Sequence, residues 1–361
     1  MKLIDYLCDR GLENLCSQYH LKANRHHQYP NLVCLKYSQI ESPMEEIIVQ
    51  QARGIIVDED KNWDIVSYSY DKFFNYGEPN AIAIDWQNAT VYDKLDGSLM
   101  VLYFYAGEWR VQSSGTPDAT GQVNGFPFNF AELFWKVWRE LSYALPEETE
   151  YCFSFELMTP YNRIVVKHES NRLILHGVRN VKTRTEEAAK NWAARYNWEP
   201  VTTYPLGSWS EILEAAKHLD PMNSEGYVVC DRNFHRVKVK SPEYVALSHF
   251  RQGFSTRRML EIILKNEGDE FLSYYPEWRE MYNSVQQKYD NFAKKIESEY
   301  DRYKDIASQK DFALSIKHLP YSGILFALRS GKSTSIRESL QKTSLPKVEQ
   351  LLEIENIYLG V

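Results

Sequence analysis

Asp93-Lys94-Leu95-Asp96-Gly97-Ser98 is the stretch of sequence around which the rest of the chain is organised. It stands between an apolar, aromatic approach and a strongly strand-like run at residues 99–105. Alternation along a strand places Tyr92, Lys94 and Asp96 on one face, and the glycine lets the backbone turn. A lysine in such a place can be desolvated, which lowers its pKa. The neutral amine that then forms can attack a phosphorus centre or a carbonyl. A surface lysine in a hairpin turn explains the hexapeptide alone about equally well.

Length and composition limit the class of protein. The 361 residues predict one large domain or two ordinary ones, and 43% hydrophobic residues are enough for a core. A net charge of -7 excludes a globally basic nucleic-acid binder, although a local basic groove stays open. The five scattered cysteines lack a CxxC pair and indicate reduced thiols rather than a disulfide or zinc framework. Neither a signal peptide nor an apolar run of 18 residues is present, so we expect a cytoplasmic protein without a membrane span.

Strand patterns fill the first two thirds of the chain. A hairpin is predicted over residues 52–76, with Arg53 and Lys72 near its two ends, and further hairpin strands over residues 90–116. In the predicted strand 151–157 the aromatic residues face one way and Glu156 the other. A carboxylate on a buried strand is costly unless it has a partner or a ligand, which makes Glu156 a candidate site residue.

A second basic pattern lies near the middle of the chain. Arg236, Lys238 and Lys240 share one face of a predicted strand. Because three like charges in a row repel one another, that face meets either water or a polyanion. On the pattern alone, a face in water is the favoured interpretation. From about residue 255 strand patterns vanish, and helical spacing predicts an all-helical C-terminal part.

Taken in order, these motifs resemble the motif set of the covalent nucleotidyltransferases, which comprise ATP-dependent ligases and mRNA capping enzymes. Within that superfamily the chain is most similar to the bacteriophage T4 RNA ligase 1-like family, over roughly residues 30–250. The motifs that carry the resemblance are Arg53-Gly54-Ile55-Ile56, Asp71 to Asn75, Lys94 to Leu99, Phe155-Glu156-Leu157, Pro160 to Val165, Glu225-Gly226-Tyr227-Val228, Lys238-Val239-Lys240-Ser241 and Tyr244 to Leu247.

The resemblance implies an ATP-dependent RNA ligase. Lys94 would attack the α-phosphate of ATP and release pyrophosphate, and the AMP would then pass to a 5′-phosphate end of RNA. A 3′-hydroxyl end would displace this AMP and seal the strand. Lys238 and Lys240 would stabilise the charge at the α-phosphate. The nucleotide-binding residues would also include Tyr37 (with Lys36 beside it), Arg53, Lys72, Asp96, Gly97, Glu156 and Glu225.

Metal and substrate follow from the same resemblance. Mg²⁺, with Mn²⁺ as a substitute, would be held by Glu156 and Glu225, with Asp269 as a further acidic candidate. The substrate would be RNA ends, as in a tRNA anticodon loop under repair, with an end-healing kinase-phosphatase as a partner. We expect a monomer.

One stretch departs from the family pattern, and two alternatives to an RNA ligase stay open. Where the phage enzyme has lysines before a glycine, this chain has Ser113-Ser114-Gly115, so a phosphate or RNA contact is either missing or supplied elsewhere. DNA ligases and capping enzymes normally continue into a β-rich domain, whereas this chain becomes helical. A non-catalytic nucleotide- or RNA-binding module on the same scaffold is the other alternative.

The expected fold class is α+β. We predict a mainly antiparallel nucleotidyltransferase domain with flanking helices over residues 1–248, followed by an all-α domain over residues 249–361.

Overall fold

The structure is a computed structural model that describes residues 1–123, 126–250 and 255–354, with the backbone alone at 247–250, 274 and 277. Its strands are β1 (Leu21–Arg25), β2 (Leu32–Tyr37), β3 (Arg53–Asp58), β4 (Asp64–Ser67), β5 (Phe74–Asn75), β6 (Thr90–Lys94), β7 (Ser98–Tyr105), β8 (Glu108–Ser113), β9 (Tyr151–Met158), β10 (Arg172–Asn180), β11 (Glu186–Glu187), β12 (Glu199–Pro200), β13 (Thr203–Tyr204), β14 (Gly226–Cys230) and β15 (Arg236–Lys240). Its helices are α1 (Lys2–Tyr19), α2 (Ile47–Gln51), α3 (Phe130–Glu140), α4 (Ala189–Tyr196), α5 (Trp209–Lys217), α6 (Pro242–Phe250), α7 (Thr256–Leu264), α8 (Gly268–Tyr274), α9 (Arg279–Tyr303), α10 (Gln309–Ile316), α11 (Ser322–Arg329), α12 (Ile336–Lys342) and α13 (Leu345–Leu352). Short 3₁₀ turns stand at Glu59–Lys61, Trp86–Asn88 and Pro276–Trp278.

The strands form three sheets. The N-terminal sheet has the order β1-β2-β3-β4, and the central sheet has the order β11-β10-β9-β7-β8 with β12 beside β10. The third, which we call the lysine sheet, has the order β13-β6-β14-β15-β5. All pairings are antiparallel except β10 with β12 and β15 with β5. The prediction of a mixed α and β fold rich in antiparallel sheet is therefore confirmed.

Each sheet buries one face against helices, as period-two alternation requires. The N-terminal sheet packs on α1 and α2 through residues such as Leu7 and Leu35. The central sheet packs on α3 and α4 through an aromatic core that includes Phe134, Phe155 and Trp198. The predicted hairpin strands at 53–57 and 99–105 are confirmed as β3 and β7.

The described residues divide into two compact units. The first holds residues 1–38 and 42–247, and the second holds residues 39–41 and the chain from 248 onward. In the second unit, the elements described from Thr256 to Leu352 are helices, which pack around a core of its own that includes Phe271, Ile296 and Phe312. The predicted domain boundary after residue 248 stays a prediction. No helix in the described part of the chain is long and apolar enough to cross a membrane.

Candidate active site

Lys94 and Lys240 lie on either side of Gly226 in the lysine sheet. Lys94 of β6 pairs with Gly226 of β14, which in turn pairs with Lys240 of β15. Two residues along, Lys238 is the cross-strand partner of Val228. Residues directly opposite one another share a face, so the antiparallel register alone gathers these three lysines on one side of the sheet. The other side packs on α5 through Tyr227, Val229 and Val239, among others.

Gly226 allows the strands to come this close. Its φ is +147°, and a Cβ atom there would lie 2.1 Å from the Val239 carbonyl oxygen and 2.7 Å from Lys240 Cα. Only glycine fits such a contact without moving the backbone. The motif Glu225-Gly226 is therefore explained by geometry as well as by charge.

Glu225 holds two of the lysines together. Its Oε2 is 2.6 Å from Lys94 Nζ and its Oε1 is 3.5 Å from Lys240 Nζ. The glutamate side chain is 7% exposed, and the two lysine side chains are 18% and 17% exposed. Charges removed from water to this extent interact strongly, so one carboxylate fixes the position of both ammonium groups.

The loop after Lys94 is fixed by its own side chains. Asp96 is buried, and its carboxylate accepts hydrogen bonds from the backbone N–H groups of Val165 and Val166 at 2.9 and 2.6 Å. It also accepts one from the Tyr244 hydroxyl at 2.8 Å. At Gly97 a Cβ would lie 2.6 Å from the Leu157 carbonyl oxygen. Asp96 thus contacts protein groups that shape the loop, and Gly97 brings the loop against β9.

A cavity of about 270 Å³ opens beside Lys94. Residues of the lysine and central sheets line it, together with aromatic and basic groups from the N-terminal half. The lining residues include Arg53, Tyr70, Phe73, Tyr92, Lys94, Leu95, Gly97, Glu156, His176, Val201, Val228 and Arg236. The structure therefore brings Arg53, Lys94, Gly97 and Glu156 of the predicted site to one cleft, which has the mixed apolar and polar lining of a ligand site.

His176 is a cleft residue that the sequence reasoning missed. The pairing of β9 with β10 shifts between Leu175 and Gly177, so His176 occupies a β-bulge. Its Nδ1 shares a 2.8 Å hydrogen bond with the Tyr70 hydroxyl, and its Nε2 lies 3.4 Å from Glu156 Oε2. That Nε2 is buried and makes no hydrogen bond within the described residues, and the Glu156 carboxylate is the polar group that it faces. A bulge re-aims a side chain in a way that strand alternation cannot predict.

Arg53 and Lys72 are packed on aromatic rings. The Arg53 guanidinium lies 5.1 Å from the Phe73 ring centre, and its Nη1 is buried without a hydrogen-bond partner in the part of the chain described. The Lys72 ammonium lies 4.9 Å from the Tyr37 ring and 5.0 Å from the Phe74 ring. Lys72 lines a neighbouring cavity of about 520 Å³, which shares Phe73 with the first. The aromatic rings fix the positions of Arg53 and Lys72 without neutralising their charge, so both cations can still bind an anion.

The interpretation of Arg236, Lys238 and Lys240 as a face in water is wrong. All three side chains are half-buried, and Arg236 lines the cleft. Arg236 donates from Nη1 and Nη2 to both carboxylate oxygens of Glu186, at 3.1 and 2.5 Å. Its guanidinium also stands 4.2 Å from the Tyr70 ring centre. Carboxylates from other strands, Glu186 and Glu225, remove the repulsion on which the expectation rested.

The predicted metal residues lie in different surroundings. Glu225 contacts two lysines and Glu156 faces His176. Asp269 is in the first turn of α8 in the second unit, where its charge adds to the burial that raises the pKa of Tyr282 to about 12. Among the side chains that the structure describes, no three His, Cys, Asp or Glu groups converge in a way that could hold a metal ion. The metal assignments stay predictions.

A lysine in a cleft, with further cations and carboxylates around it, is an arrangement that suits chemistry on phosphate groups. Residues 51–244, more than half of the chain, match the family model described as RNA ligase. The chain therefore belongs to the RNA ligase family and is a ligase. The resemblance drawn from the motifs is confirmed.

Two curated relatives align over most of the chain. An RNA ligase of Rhodothermus phage RM378 is 25% identical over 398 aligned positions, which cover 89% of this chain and 90% of the relative. A putative bifunctional polynucleotide kinase/RNA ligase of Autographa californica nuclear polyhedrosis virus is 24% identical, with 97% of this chain and 52% of the relative covered. The chain thus spans about half the length of the viral protein.

Solved structures resemble it more distantly. An archaeal ATP-dependent RNA ligase is 13% identical with a TM-score of 0.49, over 78% of each chain. A Naegleria gruberi RNA ligase mutant solved with ATP and Mn is 14% identical with a TM-score of 0.36, over 50% of this chain and 62% of that one.

Proposed function

We propose that the protein is an ATP-dependent RNA ligase that joins a 5′-phosphate end to a 3′-hydroxyl end through AMP bound covalently to Lys94. The observation that supports this most directly is the position of Lys94 Nζ at a cleft, 2.6 Å from a carboxylate that also contacts Lys240. A nucleophilic lysine needs nearby groups that fix its direction and stabilise the charge formed when it attacks.

In the first step Lys94, as the neutral amine, forms a bond from Nζ to the α-phosphorus of ATP and loses a proton to the solvent, and the bond to the pyrophosphate oxygen breaks. Lys238 and Lys240 face the same side of the lysine sheet and stabilise the α-phosphate oxygens. Arg53 and Lys72 bind the leaving pyrophosphate, and Tyr37 supports Lys72 through its ring. Pyrophosphate leaves with the electron pair of the broken bond.

The nucleoside is held by the other residues of the site. Glu156 and Glu225 accept hydrogen bonds from the ribose hydroxyl groups, while Gly97 and Asp96 shape the loop that carries Lys94. The same two glutamates are the groups that would hold a divalent cation, Mg²⁺ or Mn²⁺, with Asp269 as a more distant acidic candidate in the sequence. Such a cation supplies charge neutralisation to phosphate oxygens.

In the later steps the AMP passes from Lys94 to the 5′-phosphate of RNA, and the 3′-hydroxyl attacks that phosphate and releases AMP. The name of the viral relative, a kinase joined to an RNA ligase, supports RNA repair in which another activity first prepares the ends. We infer single-stranded RNA or a tRNA anticodon loop as the substrate, a monomer as the working form and the cytoplasm as its location. The helical part would bind RNA.

The first test is incubation with Mg²⁺ and α-labelled ATP, followed by a denaturing gel. We expect label on the wild type, none on Lys94→Ala, and label at the wild-type level on Lys217→Ala, which removes an exposed lysine paired with Glu214. Label that survives in Lys94→Ala would mean that another residue is the nucleophile. No label on the wild type with ATP or GTP would favour the alternative of a non-catalytic binding module.

The second test separates RNA from DNA ligation. Single-stranded RNA, single-stranded DNA of the same sequence and a nicked DNA duplex, each with a 5′-phosphate and a 3′-hydroxyl, are offered to the labelled enzyme. We expect circular or joined RNA and little joined DNA. Equal sealing of a nicked DNA duplex would instead favour a DNA ligase.

A further inference from the structure

A row of cations crosses the N-terminal sheet toward the cleft. Lys36 of β2 pairs with Arg53 of β3 on one side and with Lys22 of β1 on the other. The pairing of β2 with β3 shifts between Leu35 and Lys36, and it is after this shift that Lys36 lies opposite Arg53. The row runs from the exposed Lys22 to Arg53, which lines the cleft.

Lys36 is held at the turn after β8. Its Nζ donates a 3.1 Å hydrogen bond to Ser114 Oγ. A Cβ at Gly115 would lie 3.4 Å from the same Nζ, so the ammonium group lies against the backbone of the turn. The backbone carbonyl of Ser114 also stands 2.9 Å from the position of a Cβ at Gly54, next to Arg53. The turn, Lys36 and Arg53 therefore form one small cluster.

The cluster has excess positive charge. Burial lowers the pKa of Lys36, and the neighbouring cations Arg53 and Lys22 lower it further. Arg53 likewise has a buried Nη1 without a hydrogen-bond partner among the described residues. Half-buried cations side by side are unfavourable unless an anion joins them.

The cluster also answers the question raised by Ser113-Ser114-Gly115. At the place where the family pattern has lysines, the ammonium group of Lys36 arrives from a different strand and contacts Ser114. Lys36 thus supplies a cation at this turn, although residues 113–115 themselves contain no lysine.

We propose that Lys36, Arg53 and Ser114 form a phosphate subsite that adjoins the nucleotide cleft and takes terminal phosphate groups. The proposal rests on the function proposed above and deepens it. Two sources have this chemistry, namely the two outer phosphates of ATP and the 5′-phosphate of RNA. Arg53 lines the cleft that also holds Lys94, which favours the outer phosphates of ATP.

The test compares the wild type, Lys36→Met, the double variant Lys36→Met/Ser114→Lys, and the control Lys182→Met, which removes an exposed lysine. Because a hydrogen bond to a charged group is lost, we expect the apparent KM for ATP in AMP-enzyme formation to rise about 10-fold to 100-fold in Lys36→Met. The double variant should recover much of this loss, since its new ammonium group can reach the same turn. The control should behave as the wild type.

Measuring the steps of the reaction separately shows whether the subsite binds the phosphates of ATP or the 5′-phosphate of RNA. If the defect lies in AMP-enzyme formation and pre-adenylylated RNA is sealed at the wild-type rate, the subsite binds ATP. If AMP-enzyme forms normally and its transfer to 5′-phosphate RNA is slow, the subsite binds the RNA end. Wild-type rates in both steps for Lys36→Met, or a loss that Ser114→Lys does not recover although the melting temperature is unchanged, would overturn the proposal.

A binding measurement keeps this proposal apart from the catalytic one. Calorimetry with inorganic pyrophosphate needs no chemistry at Lys94. We expect clearly weaker binding to Lys36→Met than to the wild type, even if the wild type proved unable to bind AMP covalently. Equal pyrophosphate binding by both proteins would count against the subsite.

Discussion

The contact at Gly226 gives the sharpest prediction about the lysine sheet. In Gly226→Ala the new methyl group would lie 2.1 Å from the Val239 carbonyl oxygen and 2.7 Å from Lys240 Cα. These are backbone atoms, so a strand must move by about 1 Å before the contact is tolerable. Overpacking of this kind costs about 1–3 kcal/mol, and the φ of +147° adds about 1–3 kcal/mol for a residue with a side chain. We expect the free energy of unfolding to fall by about 3 kcal/mol.

The strand movement in Gly226→Ala should also slow the reaction of Lys94 with ATP. Gly226 stands between Lys94 and Lys240, so separation of β14 from β15 changes the place of Lys240 relative to Lys94 and Glu225. A displacement of about 1 Å in a catalytic constellation can reduce the rate about 100-fold. We therefore expect AMP-enzyme formation to slow by about that factor even where the variant is folded.

The assay needs a glycine control, because alanine at a positive φ is strained even in open space. Gly107 has a φ of +83°, and a Cβ there would meet nothing within 4 Å. Gly107→Ala should lose only the backbone part, about 1 kcal/mol. Urea unfolding and single-turnover labelling are measured on both variants below their unfolding transitions. If Gly226→Ala matches Gly107→Ala in stability and the wild type in rate, the close contact between strands does not position the lysines.

Three further predictions follow from the buried polar groups. Glu186→Ala leaves the Arg236 guanidinium buried without its carboxylate, so we expect a loss of about 3–5 kcal/mol in urea unfolding, and a loss below 1 kcal/mol would contradict the pairing. Tyr70→Phe removes the hydrogen bond to His176, which should cost about 1 kcal/mol of stability and raise the KM for ATP more than it lowers kcat in labelling kinetics. Because burial lowers the pKa of Lys36, the folded protein binds fewer protons than the unfolded chain between the two pKa values, and stability rises with pH in that alkaline window. Lys36→Met should therefore melt higher than the wild type near neutrality, with an advantage that shrinks as pH rises, and a constant difference would exclude this cause.

Much of the lysine sheet could be predicted because its information is local. Period-two alternation places Lys238 and Lys240 on one face, and a strand ending at Lys94 follows from the apolar run before it. The antiparallel register then brings them together on either side of Gly226. The cleft residue Glu156 could also be predicted, since it stands out as a carboxylate on a buried strand, whereas Arg53 enters the predicted site through the resemblance of its motif to the family.

What the sequence could not supply is the set of partners that arrive from distant strands. Arg236 is expected to face water because three like charges in a row repel one another, yet Glu186 pairs with it from β11. The His176 bulge interrupts the alternation on which strand arguments rest. Pairings of this kind depend on the packing of sheets, which a local pattern does not encode.

The cations of the site differ in how their charge is balanced. This difference suggests that they bind different phosphate groups of the nucleotide. Near Lys94, the carboxylate of Glu225 contacts both Lys94 and Lys240, so their geometry is set before any ligand enters. Farther along, Arg53 and Lys36 are held by aromatic rings and a serine hydroxyl, groups that fix position without neutralising charge. Phosphate groups therefore gain the most binding free energy at Arg53 and Lys36, where the groups that hold the cations carry no negative charge. A nucleotide oriented in this way would have its outer phosphates at Arg53 and Lys36 and its α-phosphate at Lys94, which is the arrangement that an attack with departure of pyrophosphate requires.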